Sequence, residues 1–219
     1  MEIYLIRHAQ SLNNARPVEE RGADPPLTDL GRRQASRLAP WVKTLGFTRL
    51  ICSPFRRTLE TAEYIRSATN LTPEVRVEWH ERGGCIAGTS VASHIGRPGM
   101  TRNEIKAEFP EFQLPDQIDG DGWWKSAPVE SLEAAYARAE ATVGRTRDEF
   151  ANTDERVAFV THGDFKTLML ACFFAEPLPM CDPFSVIHNT GMSKLVVTPN
   201  EITLEYLNQV NHLDLALVS

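Results

Sequence analysis

Short, mostly apolar runs alternate along this chain with segments of helical periodicity, and this alternation constrains the fold more than any other feature. The runs at 2–6 (EIYLI), 49–53 (RLICS) and 156–160 (RVAFV) are typical of strands covered on both faces. Between them, 28–46 and 130–150 carry apolar residues every three or four positions, as amphipathic helices do. The pattern predicts a layered α/β fold with a mainly parallel sheet.

The length of 219 residues is enough for one sizeable core, so we expect a single domain over 1–219. Residues 83–128 contain many Gly and Pro and one short helical pattern at 102–109, and we expect them to form a cap-like insertion. Further strands are expected at 74–79 and 185–189. A helix is expected to begin at Ser53 and Pro54, because Pro is favoured at the first helical position.

Bulk charge and cysteine spacing exclude several classes of protein. The net charge of −6 does not supply the cationic surface of a nucleic-acid-binding protein. The four cysteines form no CxxC pair, so metal-ligand spacing is absent. The amino-terminal residues lack the apolar core of a signal peptide, and no stretch has the length of a membrane span. We expect no metal, no cofactor, no nucleic-acid or membrane partner, and a cytoplasmic location.

Polar side chains follow the predicted strands at the point where each strand ends. In open α/β sheets, ligands bind beyond the carboxyl ends of the strands, so these side chains are candidates for a site. They are Arg7 and His8, then Ser53 with Arg56 and Arg57, then Glu78 with His80 and Glu81, and finally Thr161 with His162 and Gly163.

These residue types suit phosphoryl transfer without a metal. A guanidinium group binds phosphate bidentately and stays charged, and a neutral imidazole can attack phosphorus. A helix that begins after Gly163 would direct backbone dipoles at an anion. A carboxylic acid that is held protonated can supply the proton that the leaving oxygen needs.

Four segments carry a resemblance to the histidine phosphatase superfamily, the phosphoglycerate mutase-like fold. LIRHAQSLNN (5–14) is similar to the signature in which Arg-His-Gly-Glu is followed by Thr or Ser and then Asn. PLTDLGRRQA (26–35), CSPFRRTLETA (52–62) and VTHGDF (160–165) resemble further elements of that family, in the family's order. The match spans roughly 1–66 and 156–212. It implies a three-layer α/β/α sandwich around a mainly parallel mixed sheet.

The resemblance also implies roles for individual residues. His8 is the nucleophile that becomes phosphohistidine, and the remaining implied contacts surround the phosphoryl group. The resemblance implies that the phosphoryl oxygens are bound by Arg7, Arg57 and His162. It also implies further substrate-binding residues, namely Ser11, Asn14 and Gly163.

Three carboxyl groups are candidates for the proton donor, and two residues depart from the signature. Glu81, in WHERGG (79–84), resembles the position of the family's acid and is preferred to Glu78 and Asp164. Ala9 and Gln10 stand where Gly and Glu are usual, which affects fine substrate preference more than activity.

The same residues suit a phosphatase or a mutase. Residues 83–128 hold few basic residues and many acids, so a carboxylate-bearing substrate would find little to hold it there. We therefore expect hydrolysis of small phosphorylated metabolites, with phosphoglycerate mutase or a non-catalytic phosphate-ester binding protein as alternatives. Trp123 and Trp124 either cover the site or anchor the insertion. A homodimer through an edge strand is left open.

Overall fold

A six-stranded mixed sheet forms the centre of the protein in a computed structural model that describes residues 1–90, 93–175 and 187–219. The strands are Glu2–Arg7 (β1), Arg49–Cys52 (β2), Pro73–Val75 (β3), Ile86–Ala87 (β4), Ile95–Gly96 (β5), Arg156–Thr161 (β6), Met192–Val197 (β7) and Ile202–Gln209 (β8). The helices are Leu12–Ala15 (α1), Asp29–Lys43 (α2), Arg56–Thr69 (α3), Arg102–Glu108 (α4), Leu132–Phe150 (α5) and Gly163–Phe173 (α6). Short 3-10 turns occupy Val18–Glu20, Val77–Trp79 and Leu215–Leu217.

The strand order β3-β2-β6-β1-β7-β8 brings the predicted strand ends to one edge. The first four strands in this order run parallel, whereas β7 is antiparallel to both β1 and β8. Arg7 pairs with Thr161, and Cys52 pairs with Val160, so β1, β2 and β6 end level with one another. The side chains that follow these strands therefore lie side by side.

Two buried clusters, one on each face of the sheet, make the fold a three-layer α/β/α sandwich, as predicted. On β1, Tyr4 and Ile6 pack into the cluster that contains residues of α2 and α3. Ile3 and Leu5 point the other way, into the cluster with α5 and α6. Because both faces of the strand are covered, its sequence reads as a continuous apolar run. Among the helices of the described residues, none combines the length and apolarity that crossing a membrane requires.

The loop after β1 packs tightly on the start of α2. The backbone N–H of Gln10 donates to Gln34 Oε1 at 2.8 Å, and the N–H of Thr28 donates to the Gln10 carbonyl at 2.9 Å. A Cβ on Gly31 would lie 2.0 Å from that carbonyl oxygen, so only glycine permits this approach. The Gln10 amide also accepts from the Thr28 hydroxyl at 2.7 Å, which gives the residue that departs from the family signature a structural role.

Residues 83–128 contain the β4–β5 hairpin and α4, joined by turns and irregular segments. The helix lies where the short pattern at 102–109 predicted one, and Thr101 begins it by accepting a hydrogen bond from the Glu104 N–H. Trp123 anchors this segment, because its buried ring packs edge-on against Phe55 with the ring centroids 4.6 Å apart.

Three boundaries differ from the prediction. The helix expected to begin at Ser53 and Pro54 begins at Arg56, because the Ser53 hydroxyl is bound to His162 and Asp24 Oδ1 accepts from the Arg56 N–H instead. The strand expected over 74–79 ends at Val75, where its partner β2 ends, and a 3-10 turn follows. Of the strand expected over 185–189, residues 187–189 are not a strand, and the other two lie outside the described residues.

The start of α2 provides a test of this packing. Thr28 Oγ1 accepts from the Gly31 N–H at 2.9 Å and donates to Gln10. We expect Thr28→Ala to lower the free energy of unfolding by about 1 kcal/mol, the usual cost of losing a helix N-cap. Urea unfolding measures it, with Thr203→Ala on the exposed edge strand as the control, which should change stability by less than about 0.5 kcal/mol. Equal effects of the two variants would contradict this account.

Candidate active site

The structure brings His8 and His162 together at the edge where β1 and β6 end. The His8 N–H donates to the Thr161 carbonyl at 2.9 Å, so the pairing of the strands continues into the site. The ring centroids of the two histidines are 5.2 Å apart, and both rings are buried. A group the size of phosphate can therefore contact both imidazoles at once.

His8 is held as a neutral imidazole with an unprotonated Nε2. Its Nδ1 lies 2.7 Å from the Ala9 carbonyl, which can only accept, so Nδ1 carries the proton. Nε2 then accepts from Arg57 Nε at 3.1 Å. Burial lowers the pKa of His8 well below its ordinary value, and the charges of Arg57 and Arg7 lower it further. The atom that a nucleophile needs is unprotonated.

The His162 ring lies against Ser53. Its Nε2 and the Ser53 hydroxyl form a hydrogen bond of 2.7 Å, and Ser53 Oγ also accepts from the Phe55 N–H at 3.4 Å. Nδ1 of His162 is buried and has no hydrogen-bond partner among the described residues. Burial lowers the pKa of His162 well below its ordinary value, with Arg57 adding to the effect. The sequence placed Ser53 at a strand end but missed this role.

The two arginines differ in how they are held. Arg7 Nη1 donates to the Ile187 carbonyl, whereas its Nε is buried without a partner among the described residues. The first residue of α6, Gly163, lies against Arg7, since a Cβ there would be 3.5 Å from Nε. Arg57 is 8% exposed, and its guanidinium carbon lies 4.0 Å from the centroid of the Phe55 ring. Buried polar atoms without partners are costly, and a bound oxyanion would satisfy the Arg7 Nε–H and, in the tautomer with its proton on Nδ1, His162.

Ser11 and Asn14 hold the loop that follows His8. The Ser11 hydroxyl and N–H each donate to Asn14 Oδ1 at 3.0 Å. Asn189 Nδ2 donates to the His8 carbonyl at 2.9 Å and lies 3.4 Å from the same Asn14 oxygen. Asn189 was not singled out from the sequence, although Asn-Thr-Gly before a strand is a turn signal that could have indicated it.

The Glu81 carboxyl group accepts hydrogen bonds from two backbone N–H groups at the edge of a cavity. Its Oε1 accepts from the Phe165 N–H at 3.0 Å and from the Arg82 N–H at 2.9 Å. Burial raises its pKa and the nearby Asp164 raises it further, although Arg57 and these two N–H groups act in the opposite direction. It lines a cavity of about 250 Å³ together with Arg57.

The other two candidate acids are engaged elsewhere. Glu78 lies 4.0 Å from Arg145 on α5, and it does not line the cavity. Asp164 is half exposed and forms an ion pair of 2.5 Å with Arg82. Among the residues that the structure describes, no three His, Cys, Asp or Glu side chains form a group that could hold a metal ion.

Trp123 and Trp124 do not line this cavity. Trp123 packs on Phe55, and Trp124 donates its Nε1–H to the Ala127 carbonyl at 2.7 Å. The Trp124 ring also lies 5.0 Å from that of His80, centroid to centroid. Both residues hold the insertion in place, which favours the anchoring interpretation over a cover for the site.

Comparison with known proteins places this geometry in a family. The model of the histidine phosphatase superfamily (branch 1) matches residues 3–210. The chain is 27% identical to fructose-2,6-bisphosphatase TIGAR B of Danio rerio over 89% of this chain and 85% of that protein. It is 40% identical to a protein named probable phosphoglycerate mutase GpmB of Yersinia pestis, over 33% of this chain and 34% of that one. The alpha-ribazole phosphatase of Shigella flexneri has the same fold, with a TM-score of 0.68 at 20% identity over 96% and 97% of the two chains.

Lys166 offers a test of the buried charges around the site. It is fully buried behind Arg7, donates to the Gly191 carbonyl at 2.8 Å, and has a pKa lowered to about 7 by burial and by Arg7. Between pH 7 and the pKa near 10.4 of an unfolded lysine, this side chain is protonated in the unfolded chain but neutral in the folded protein. The free energy of unfolding therefore increases with pH over this range.

We expect Lys166→Met to stabilise the protein relative to wild type most at pH 7 and below. The difference in free energy of unfolding should shrink by up to about 1.4 kcal/mol per pH unit above pH 7. Urea unfolding at pH 7, 8 and 9 measures it, with Lys43→Met at the exposed end of α2 as the control. A difference independent of pH would show that Lys166 is charged in the folded protein throughout this range.

Proposed function

This chain belongs to the histidine phosphatase superfamily, and we propose that it hydrolyses small phosphorylated metabolites through a phosphohistidine on His8, without a metal. One observation carries the proposal. The buried His8 is neutral with an unprotonated Nε2 beside Arg57, and two buried nitrogens, Arg7 Nε and His162 Nδ1, have no partner among the described residues. Such a site suits a tetrahedral dianion next to a nucleophile.

In the first step, His8 Nε2 attacks phosphorus and the bond from phosphorus to the leaving oxygen breaks. Arg57 must release Nε2 as substrate binds, and its guanidinium then bonds the phosphoryl oxygens together with Arg7 and His162 Nδ1–H. Glu81, whose raised pKa favours the acid form, gives its proton to the leaving oxygen.

In the second step, the Glu81 carboxylate takes a proton from water that attacks phosphorus. The bond between phosphorus and Nε2 breaks, inorganic phosphate leaves, and His8 returns to its neutral form. Water has access because Glu81 is partly exposed and lines the cavity beside Arg57. The arginines supply the charge that a metal would otherwise provide, which is why we propose a metal-independent reaction.

A phosphoglycerate mutase is the second candidate, and the likeness of one third of the chain to a protein named as such favours it. A mutase passes the phosphoryl group from His8 back to a hydroxyl of the substrate instead of to water. A cytoplasmic location remains part of the proposal, as does a homodimer formed through an edge strand such as β8.

His8→Ala tests the nucleophile. We expect phosphate release from p-nitrophenyl phosphate to fall by roughly 10³-fold or more, the scale seen when a nucleophile is removed. Wild type denatured in base should carry a base-stable, acid-labile phosphoryl group that the variant lacks, and a matching melting temperature shows that the variant is folded. Surviving activity would contradict the nucleophile assignment. Efficient interconversion of 3- and 2-phosphoglycerate without phosphate release would favour the mutase.

Glu81→Gln tests the acid. With an alkyl phosphate, wild-type kcat should fall as pH rises through the raised pKa of Glu81, because an alkoxide leaves only with a proton. The variant should lose about 10²- to 10⁴-fold and show no such fall. With p-nitrophenyl phosphate, whose leaving group needs no proton, it should give a burst of nitrophenolate followed by slow turnover.

Glu78→Gln is the matched control, since Glu78 faces Arg145 and does not line the cavity. Its pH profile should be that of wild type. If Glu78→Gln, and not Glu81→Gln, abolishes the decrease of kcat at alkaline pH, Glu78 is the acid and the assignment to Glu81 is wrong.

A further inference from the structure

The cavity beside the proposed nucleophile is where the leaving group of a substrate would lie. It is lined by Arg57 and by the proposed acid Glu81, whereas His8 and Arg7 do not line it. A phosphoryl group held between His8 and Arg57 would therefore point its ester oxygen toward Glu81, with the remainder of the substrate in the cavity. Its volume of about 250 Å³ is below the usual range for drug-sized ligands, so it suits a small metabolite.

The charge of the lining is positive. Among the described residues it holds three arginines, Arg21, Arg57 and Arg82, and one carboxyl group, Glu81. Arg57 donates to His8 and, in the proposed reaction, to the phosphoryl group, and Arg82 is paired with Asp164.

Arg21 has no such commitment. It follows the 3-10 turn Val18–Glu20 and forms no ion pair among the described residues. The only hydrogen bond of its side chain to the described residues joins Nε to the Arg16 carbonyl at 3.4 Å, which is long for such a bond. The guanidinium is therefore available to a ligand in the cavity.

The composition of residues 83–128 led us to expect that a carboxylate-bearing substrate would not be bound. The acidic residues of that segment, however, do not line this cavity. Glu104 and Asp121 border a separate cavity together with Lys125. Glu108 binds Arg56 and is not in the lining around Arg21. The acidic composition of the insertion thus does not describe the charge that a substrate meets.

We propose that the substrate is a phosphomonoester whose leaving group carries a second anion, a carboxylate or a phosphate, and that Arg21 binds that anion. The inference rests on the proposed hydrolysis and names the substrate class for the same site. Apolar side chains of Val18, Phe55 and Ile86 also line the cavity, so the carbon skeleton lies against them while the second anion reaches the guanidinium.

Two matched substrate pairs test the proposal by phosphate release. 3-Phosphoglycerate and glycerol 3-phosphate differ only by a carboxylate in place of a hydroxymethyl group. Fructose 1,6-bisphosphate and fructose 6-phosphate differ by a second phosphate. In at least one pair, kcat/KM of wild type should be higher for the substrate with the second anion by about tenfold, as one charge-assisted hydrogen bond provides. The pair that shows the preference identifies the anion as carboxylate or phosphate.

Arg21→Ala should remove most of that preference, and Arg21→Lys should restore part of it, because the ammonium group keeps the charge but not the planar fork. Arg16→Ala is the control. It removes the same charge from a side chain that lies five residues earlier in the chain and does not line the cavity, so this variant should keep the wild-type ratio of kcat/KM values within each pair.

The possible outcomes separate the two proposals. Phosphate release at equal kcat/KM within both pairs overturns the second-anion inference and leaves hydrolysis in place. A preference that survives Arg21→Ala, or that Arg16→Ala also removes, overturns the assignment to Arg21. Absence of phosphate release from every substrate, p-nitrophenyl phosphate included, overturns the proposed function and this inference with it.

Discussion

Parallel pairing of β1 with β6 is the constraint on which the site depends. Arg7 lies opposite Thr161 in this pairing, so the next residues of the two strands, His8 and His162, emerge at the same edge. Antiparallel pairing would place the two imidazoles at opposite ends of a six-residue strand, about 20 Å apart at the usual rise per residue. Because parallel strands require crossover connections, the helices that cover the sheet follow from the same constraint.

Burial then decides the protonation of the groups at that edge. An imidazole away from water and close to arginines is most stable without charge, which leaves His8 Nε2 unprotonated. A carboxyl group in the same surroundings is stabilised in its acid form, as for Glu81. A bound oxyanion would supply a hydrogen-bond partner to Arg7 Nε and to His162 Nδ1, which have none among the described residues.

The insertion contacts the residues of the site mainly through Trp123, which packs on Phe55. Phe55 contacts Trp123 on one side, Arg57 and His162 on others, and it also lines the cavity. Packing of the insertion thus affects the positions of Arg57 and His162. None of the acidic residues of the insertion lines the cavity, and some of them pair with basic residues, as Asp119 does with Lys125.

The sequence by itself determined the kinds of groups and the elements that carry them. The apolar run before Arg7, the periodicity around Leu38 and the glycine after His162 indicated the layered fold and the ends of β1, β2 and β6, whereas the third strand ends at Val75 and not at residue 79. Only the tertiary structure decided that Ser53 is hydrogen-bonded to His162, that Asn189 supports His8, and that Lys166 is buried near Arg7. The physical reason is that hydrogen-bond partners, desolvation and the charge of a cavity depend on segments more than a hundred residues apart in the chain, and no local pattern records which of them meet.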